Sequence, residues 1–370
     1  MSERAYLLVE PGMGWLDNAM PEAVARASTI SFVFFRFAVY QQCTENIDNK
    51  QILNKSTFYN GTPIPNWFSK ISAILHNRKN QNRWRRVMSR IILSSLFSWL
   101  PSRSFNGTFA RESDFIFADF SNLKVFGSPY LGEFKNGSWI HVDHGINLEF
   151  RYTPDQLASL SSCRYFLCWT TRQRDYFSSI FDSSRVIFCV YQKLINPVVW
   201  KHPIHHHEST RRKVIFVSRP LDSLYIQPRE FEKKFLALVK VCARFNLDLI
   251  IKRHPKEASA DVYSKFLGHY AGIYVAIFDG QLSELGGLSC DFAVAIYTGT
   301  VFETLAQGIP NIQLASESAT LQKQIRRQYV DAGLTEEFRS DSEDELAHHF
   351  ERRNELLEGQ RRRMKELLYD

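Results

Sequence analysis

Three stretches of the chain put side chains that can hold or move charge at places where the backbone must turn. In Lys252-Arg253-His254-Pro255, an apolar run ends in a basic cluster. Pro255 pushes His254 towards extended geometry and stops a helix from starting there. An imidazole at a strand end can bond a phosphate or protonate a departing phosphate oxygen, and Lys252 adds positive charge beside it. The plainer alternative is a histidine that caps its strand through a backbone hydrogen bond. In Tyr297-Thr298-Gly299-Thr300, a turn of small residues separates the apolar run Asp291–Ile296 from an amphipathic stretch closing on Gly308-Ile309-Pro310. Strand, small-residue turn and helix start together leave free backbone N–H groups and the positive end of a helix dipole facing an anion. Thr298, Gly299 and Thr300 are then donors to a phosphate. Glu303, one turn on, either accepts from ribose hydroxyls or is an acid suited to the helix dipole.

The third stretch is Trp139-Ile140-His141-Val142-Asp143-His144-Gly145. Gly145 allows a tight turn or close approach of a ligand. Asp143 or His144 can act as base towards an acceptor hydroxyl, or Asp143 can simply cap the segment that follows. Two further places carry weaker signals. In Val217-Ser218-Arg219-Pro220, Ser218 and Arg219 can reach phosphate or ribose, unless Arg219 is a surface residue. In Glu10-Pro11-Gly12-Met13-Gly14, Gly12 and Gly14 can let an acceptor near the backbone, but the spacing is not GxGxxG. The adjacent His205, His206 and His207 lack the spacing of a metal site, and no HExxH or P-loop occurs. No metal and no cofactor are expected.

These residues need sheets to hold them. Short apolar runs at Tyr6–Val9, Ser31–Phe37, Phe115–Phe120, Trp139–Val142, Tyr165–Trp169 and Val186–Val190 read as buried strands. A second series follows at Lys213–Ser218, Leu247–Lys252, Ile273–Phe278, 291–297 and Asn311–Leu314. Between these strands, patterns near 229–245, 258–270, 282–288 and 300–307 predict helices, and a final helix runs over about 344–368. Strand–helix alternation predicts parallel sheets covered on both faces. The polar, histidine-rich stretch 201–212 reads as a linker between residues 1–200 and 213–370. The expected fold is α/β, two Rossmann-like domains facing across a cleft, which is the GT-B architecture.

Size and composition agree with this. The chain has 370 residues, 44% hydrophobic and 23% charged, enough for two domains with sizeable cores. A net charge of +7 favours anionic partners. No RNP, KH or zinc signature points to nucleic acid. The six cysteines, Cys43, Cys163, Cys168, Cys189, Cys242 and Cys290, form no CxxC pair and read as free thiols of a reducing cytoplasm. The opening residues read as a first strand rather than a signal peptide, the four sequons as chance matches, and no apolar run reaches transmembrane length. Residues 76–103 break the pattern. Arg83, Arg85, Arg86 and Arg90 interleave there with Trp84, Ile91, Leu96 and Trp99, without an acid. That is the composition of a basic amphipathic helix on an anionic membrane, or of a helix packed on its own domain with a solvated face.

In order and spacing the three motifs resemble those of bacterial surface-polysaccharide glycosyltransferases that use CMP-activated acidic sugars, the capsule Kdo transferases and polysialyltransferases. Those families have an acidic-residue–Gly motif in the first domain, then His-Pro, then a small-hydroxyl motif before a helix. Here the corresponding residues are Asp143-His144-Gly145, Lys252-Arg253-His254-Pro255 and Thr298-Gly299-Thr300. The run Phe302-Glu303-Thr304-Leu305 lies nearer the Kdo transferase pattern. His144 stands where a second acid is usual, and Thr298 and Thr300 replace paired serines. His144-Gly145 also resembles the His-Gly motif of CDP-glycerol polymerases, and sugar-nucleotide epimerases share the architecture. The resemblance implies a nucleotide-sugar donor, CMP-Kdo or a related CMP-ulosonic acid, held by the second domain. It implies a glycan acceptor on a lipid carrier, Asp143 and His254 as catalytic groups, no nucleic acid, and a place at the inner face of the cytoplasmic membrane.

Overall fold

The computed structural model describes residues 4–9, 23, 28–34, 56–58, 112–118, 137–143, 146–150, 152–189, 211–219, 221, 224–254, 257, 261–278 and 290–369. The chain divides into two compact units. The first comprises Met1–Ile146, Arg151–Trp169 and Arg174–Cys189, and the second Asn147–Phe150, Thr170–Gln173 and Val190–Asp370.

The first unit is built on a parallel sheet. Its strands are β1 (Arg4–Val9), β2 (Thr29–Phe34), β3 (Ser56–Phe58), β4 (Phe115–Ala118), β5 (Ser138–Val142), β6 (Tyr165–Cys168) and β7 (Val186–Phe188). They lie in the order β3-β2-β1-β4-β5-β6-β7. Ile116, Phe117 and Ala118 are buried in a row, as are Trp139, Ile140 and Val142. Burial on both faces is why these strands read as unbroken apolar runs. Two helices follow β5 and β6, α1 (Pro154–Leu160) and α2 (Thr171–Ile180), the start of α2 through Gln173 being counted with the second unit. Each begins with a capping box. Thr153 and Gln156 exchange amide and side-chain bonds at 2.8 and 3.3 Å, and Thr170 and Gln173 do the same at 3.2 and 3.2 Å. Phe166 stacks on Phe177 and Phe181 with ring centroids 4.9 and 4.6 Å away, beneath Trp139 and Leu160 in one core.

The second unit contains β8 (Lys213–Val217), α3 (Pro228–Arg244), β9 (Asp248–Lys252), β10 (Gly268–Tyr270), β11 (Ile273–Phe278), β12 (Cys290–Ala295), α4 (Val301–Ala306), β13 (Asn311–Leu314), α5 (Lys323–Asp331), β14 (Glu336–Phe338), α6 (Glu343–Glu351) and α7 (Arg353–Tyr369). The sheet order is β10-β11-β9-β8-β12-β13-β14, and every neighbouring pair except β10–β11 is parallel. From β8 the chain builds outward one way through β9 and β11, then returns to the other side of β8 with β12. That reversal is the switch point at which doubly wound sheets bind ligands. The core gathers Phe216, Phe231, Phe235, Leu249, Ile251, Phe292 and Val294 between the sheet and α3.

The structure departs from the expected elements in four places. The stretch 258–270 is not a helix: a 3-10 turn at Asp261–Phe266 is followed by β10, which pairs antiparallel with β11. Ala271 and Gly272, both at positive φ (50° and 84°), make the two-residue hairpin turn that a right-handed strand twist favours. The terminal helix is broken at Arg352, because α6 packs on α3 while α7 turns to pack on α4. Two strands, β3 and β14, stand where no strand was expected, while α5 is one of the helices in which the chain was expected to end.

Candidate functional site

Register sets the geometry of the second unit's edge. Lys252, Val217 and Ala295 are paired across β9, β8 and β12. Two residues further on, the chains leave the sheet at Arg219, His254 and Tyr297, on strands about 4.8 Å apart. The residues singled out from sequence on three separate segments therefore emerge at one level of one sheet edge, beside the switch point.

Arg219 is tied down there. Its Nε donates to the Tyr297 carbonyl at 2.6 Å, and its guanidinium carbon lies 5.3 Å from the Tyr225 ring centroid and 5.5 Å from that of Tyr297. Such a guanidinium keeps four further N–H donors for a ligand. Lys252 Nζ donates to the Arg253 carbonyl at 2.7 Å. The half-buried His254 accepts the Glu257 N–H on its own carbonyl at 2.9 Å.

Ser218 turns inward. It is 1% exposed, and its Oγ lies 2.6 Å from both Glu257 Oε2 and Tyr263 Oη. Burial pushes the Tyr263 hydroxyl above its ordinary range; the Ser218 bond pulls it down, and the Glu257 charge adds to the rise.

In the small-residue turn, Thr298 Oγ1 accepts the Thr300 N–H at 3.2 Å, and Thr300 heads α4 without a side-chain cap bond. The helix is only six residues long, with half-buried Glu303 in its first turn and Gly308, at φ 79°, ending it. Behind the turn Tyr329 stacks on Tyr297 at 5.7 Å, and a Cβ on Gly299 would come within 3.2 Å of the Tyr329 hydroxyl. Burial raises the pKa of Tyr297, opposed by the Arg219 charge and by a hydrogen bond from Gln328, so its hydroxyl stays protonated at neutral pH. Gln328, 1% exposed, also accepts the Leu148 and Glu149 N–H groups on Oε1 at 2.6 and 3.1 Å. Sequence reading missed Tyr225, Glu257, Tyr263, Gln328 and Tyr329. Of these, only Glu257 belongs to a motif, the last residue of the basic stretch 249–257, where the sequence reading gave it no role.

In the first unit Asp143 follows β5 directly. Its residue is 3% exposed. Tyr152 Oη donates to Asp143 Oδ1 at 3.2 Å, and His141 Nε2 lies 3.8 Å from the same oxygen. The rings of Phe166 and Phe177 stand 6.0 and 5.5 Å from His141. The carboxylate expected to face a substrate is thus enclosed by an imidazole, a phenol and aromatic walls. Cys163 and Cys168 are core residues. Burial pushes the Cys163 thiol up to about 12 and that of Cys168 further, so neither is a thiolate nucleophile. Cys163, Cys168, Cys189, Cys242 and Cys290 are free.

Gly12, Gly14, Arg83, Arg85, Arg86, Arg90, His144, Gly145, Pro255, the stretch 201–210, the triple histidine and the helix expected near 282–288 lie outside the described residues. Among the described residues no helix is long and apolar enough to cross a membrane, and no group of histidine, cysteine and acidic side chains could hold a metal ion.

Residues 155–281 match the family model of alpha-2,8-polysialyltransferase. That segment carries Ser218-Arg219 and Lys252–His254, and ends before the Thr298 turn. No curated protein matches the chain. The fold is found in a Listeria monocytogenes protein assigned as a UDP-N-acetylglucosamine 2-epimerase, at 11% identity and TM-score 0.59, over 99% of this chain and 91% of that one. A UDP-GlcNAc 2-epimerase from Methanocaldococcus jannaschii, in complex with UDP-GlcNAc and UDP, has 12% identity and TM-score 0.52 over 96% and 93%. The glycotransferase of kitacinnamycin has 12% identity and TM-score 0.50 over 98% and 95%. The chain thus has the α/β fold with parallel sheets shared by GT-B glycosyltransferases and UDP-GlcNAc 2-epimerases. The matched segment and the fold together support a glycosyltransferase of surface-polysaccharide synthesis.

Proposed function

We propose that this chain transfers a CMP-linked ulosonic acid, of the Kdo or sialic acid type, to a glycan acceptor during bacterial surface-polysaccharide synthesis, without a metal. One observation carries the reading: Arg219, His254 and the Tyr297–Thr300 turn leave three adjacent strands at one level, beside the sheet's switch point. The polysialyltransferase match over the segment holding Arg219 and His254 favours a CMP donor over a UDP donor.

CMP departs with one phosphate. Lys252 and Arg219 neutralise its growing charge, Thr298 and Thr300 offer hydroxyl donors and Gly299 an amide donor, and His254 protonates the departing oxygen. Glu303 accepts from the ribose. Asp143 serves as base towards the acceptor hydroxyl, or as nucleophile if configuration is retained, under a condition its burial sets: what covers its carboxylate must move when the acceptor binds. The same reading assigns the acceptor to residues 1–200, the nucleotide to 213–370 and the linker to 201–212. It places the protein at the inner face of the cytoplasmic membrane, where Arg83, Arg85, Arg86 and Arg90 meet anionic lipid and the acceptor rides on a lipid carrier.

A panel of CMP-, CDP- and UDP-linked donors, scored by nucleotide release with and without a glycan acceptor, tests this. CMP release should fall by orders of magnitude in Asp143→Asn and in His254→Ala. Near-normal turnover in both variants would end the assignment. A UDP-sugar isomerised with no acceptor present would replace it with an epimerase, and CDP-glycerol consumption with a polyol phosphate transferase.

A further inference from the structure

We propose that Glu257 is the positioning residue for His254, and that Ser218 and Tyr263 serve it rather than the nucleotide. The inference rests on the reading of His254 as a phosphate ligand. Both Glu257 carboxylate oxygens are in use: Oε2 accepts from Ser218 Oγ at 2.6 Å and Oε1 from Tyr263 Oη at 2.9 Å. The two hydroxyls come from different places, one immediately past β8, the other on the 3-10 turn that leads to β10. A carboxylate with an acceptor oxygen on each side matches two converging hydroxyl donors, which a lysine or an apolar residue could not. Neither donor can follow a moving loop. Ser218 is 1% exposed, and the fully buried Tyr263 ring is packed against Phe231 and Phe235, with centroids at 5.8 and 5.5 Å.

From this fixed point the main chain reaches back to the imidazole-bearing residue. The Glu257 N–H donates to the His254 carbonyl at 2.9 Å. On the other side of His254, the Ser218 N–H bonds the Lys252 carbonyl at 2.9 Å, and the Arg253 N–H bonds that of Phe278 at 3.1 Å. His254 is therefore held before and after by backbone bonds, and the later hold depends on Glu257. A misplacement of about 1 Å in a group that must meet a reacting phosphate costs roughly a hundredfold in rate. Glu257 touches no substrate in this scheme; it acts through His254.

The test is a double-mutant cycle on the full chain. CMP release from the accepted donor and CMP affinity by calorimetry are measured for Glu257→Ala, Glu257→Gln, Tyr263→Phe and His254→Ala, and for Glu257→Ala with His254→Ala. Amide exchange of residues 253–257 is followed in each. Glu257→Ala should lower CMP release by about tenfold to a hundredfold and speed exchange across 253–257. Glu257→Gln, which keeps one acceptor oxygen, should recover part of the loss. In the His254→Ala background, Glu257→Ala should cost less than twofold, because the group it positions is gone. An equal cost in both backgrounds, or unchanged exchange at 253–257 in Glu257→Ala and Tyr263→Phe, would overturn the proposal. Should Glu257→Ala fail to fold, Tyr263→Phe carries the same cycle. Intact turnover and CMP affinity in His254→Ala alone would instead sink the nucleotide role of His254, and the exchange data would then decide whether the tether exists.

Discussion

Gln328→Met would remove the polar groups of a buried side chain while nearly keeping its length and volume. Gln328 is 1% exposed and makes three bonds, accepting from Leu148 and Glu149 N–H at 2.6 and 3.1 Å and donating to the Tyr297 hydroxyl. A methionine leaves little cavity, so the loss is one of hydrogen bonds. The Leu148 N–H lies in buried surroundings, and a buried donor without a partner costs about 1–3 kcal/mol. Glu149 is exposed, so its N–H recovers water at little cost. The tyrosine bond adds about 0.5–1.5 kcal/mol. The sum is about 2–4 kcal/mol, which for a unit of this size lowers the melting temperature by roughly 5–15 °C. Thermal unfolding by circular dichroism reads the shift, and amide exchange at Leu148 should rise in step. Tyr297→Phe, which removes one bond of the three, should cost about 1 kcal/mol. A fall below about 1 °C in Gln328→Met, or a Tyr297→Phe loss as large as that of Gln328→Met, would refute the assignment of these bonds.

Gly299→Ala puts a Cβ at 3.2 Å from a tyrosine hydroxyl whose residue is 4% exposed and stacked on its neighbour; it should cost about 1 kcal/mol and weaken CMP binding measured by calorimetry, and wild-type values for both would contradict this contact. Gln360→Leu removes an amide that pairs with both the N–H and the carbonyl of Asn311 at 2.8 and 2.8 Å, joining α7 to β13, so the urea midpoint should drop by the equivalent of about 2–4 kcal/mol. An unmoved midpoint would mean that α7 is not held by that pair. At Glu230 burial raises the carboxyl, but hydrogen bonds from Ser318, Ser316 and the Glu317 N–H outweigh it and hold the group below its ordinary 4.5. Its folded value is depressed, so its stabilisation is complete above about pH 4.5 and fades as pH falls through the folded value. The stability gap between wild type and Glu230→Gln should therefore be wider at pH 7 than at pH 3, and a gap of constant width would show that the ionised form is not favoured.

Much of the scaffold was legible because it obeys local rules. Val214–Val217, Leu249–Ile251 and Phe292–Ala295 are strands buried on both faces, so their apolar runs announce them without help from the rest of the chain. The capping pairs Thr153 with Gln156 and Thr170 with Gln173 also obey a local rule, standing three residues apart, but they were not singled out from the sequence. The candidate segments were legible for a related reason: in a parallel sheet ligands bind where strands end, and strand ends show as apolar runs passing into glycine, hydroxyl or charged residues. The hairpin of β10 and β11 was hidden inside a helix-like stretch, because Gly268 and the Ala271-Gly272 turn matter only once β9 offers an edge to pair with.

What residues do with their side chains depended on distant partners. Ser218 looked like a phosphate ligand until Glu257, 39 residues away, accepted its hydroxyl hydrogen. Asp143 looked like a group facing substrate, yet Tyr152 and His141 enclose it. Gln328 carried no motif at all, and its weight comes from two amides 180 and 179 residues earlier in the chain. The sequence by itself determined most of the buried strands, the α/β class and the segments from which a site could be made, because burial and turn chemistry act over a few neighbouring residues. Only the tertiary structure decided strand order, the shared level of Arg219, His254 and Tyr297, and which polar groups are left to meet a ligand, because a hydrogen bond is specified by where two groups lie in space and not by how far apart they stand along the chain.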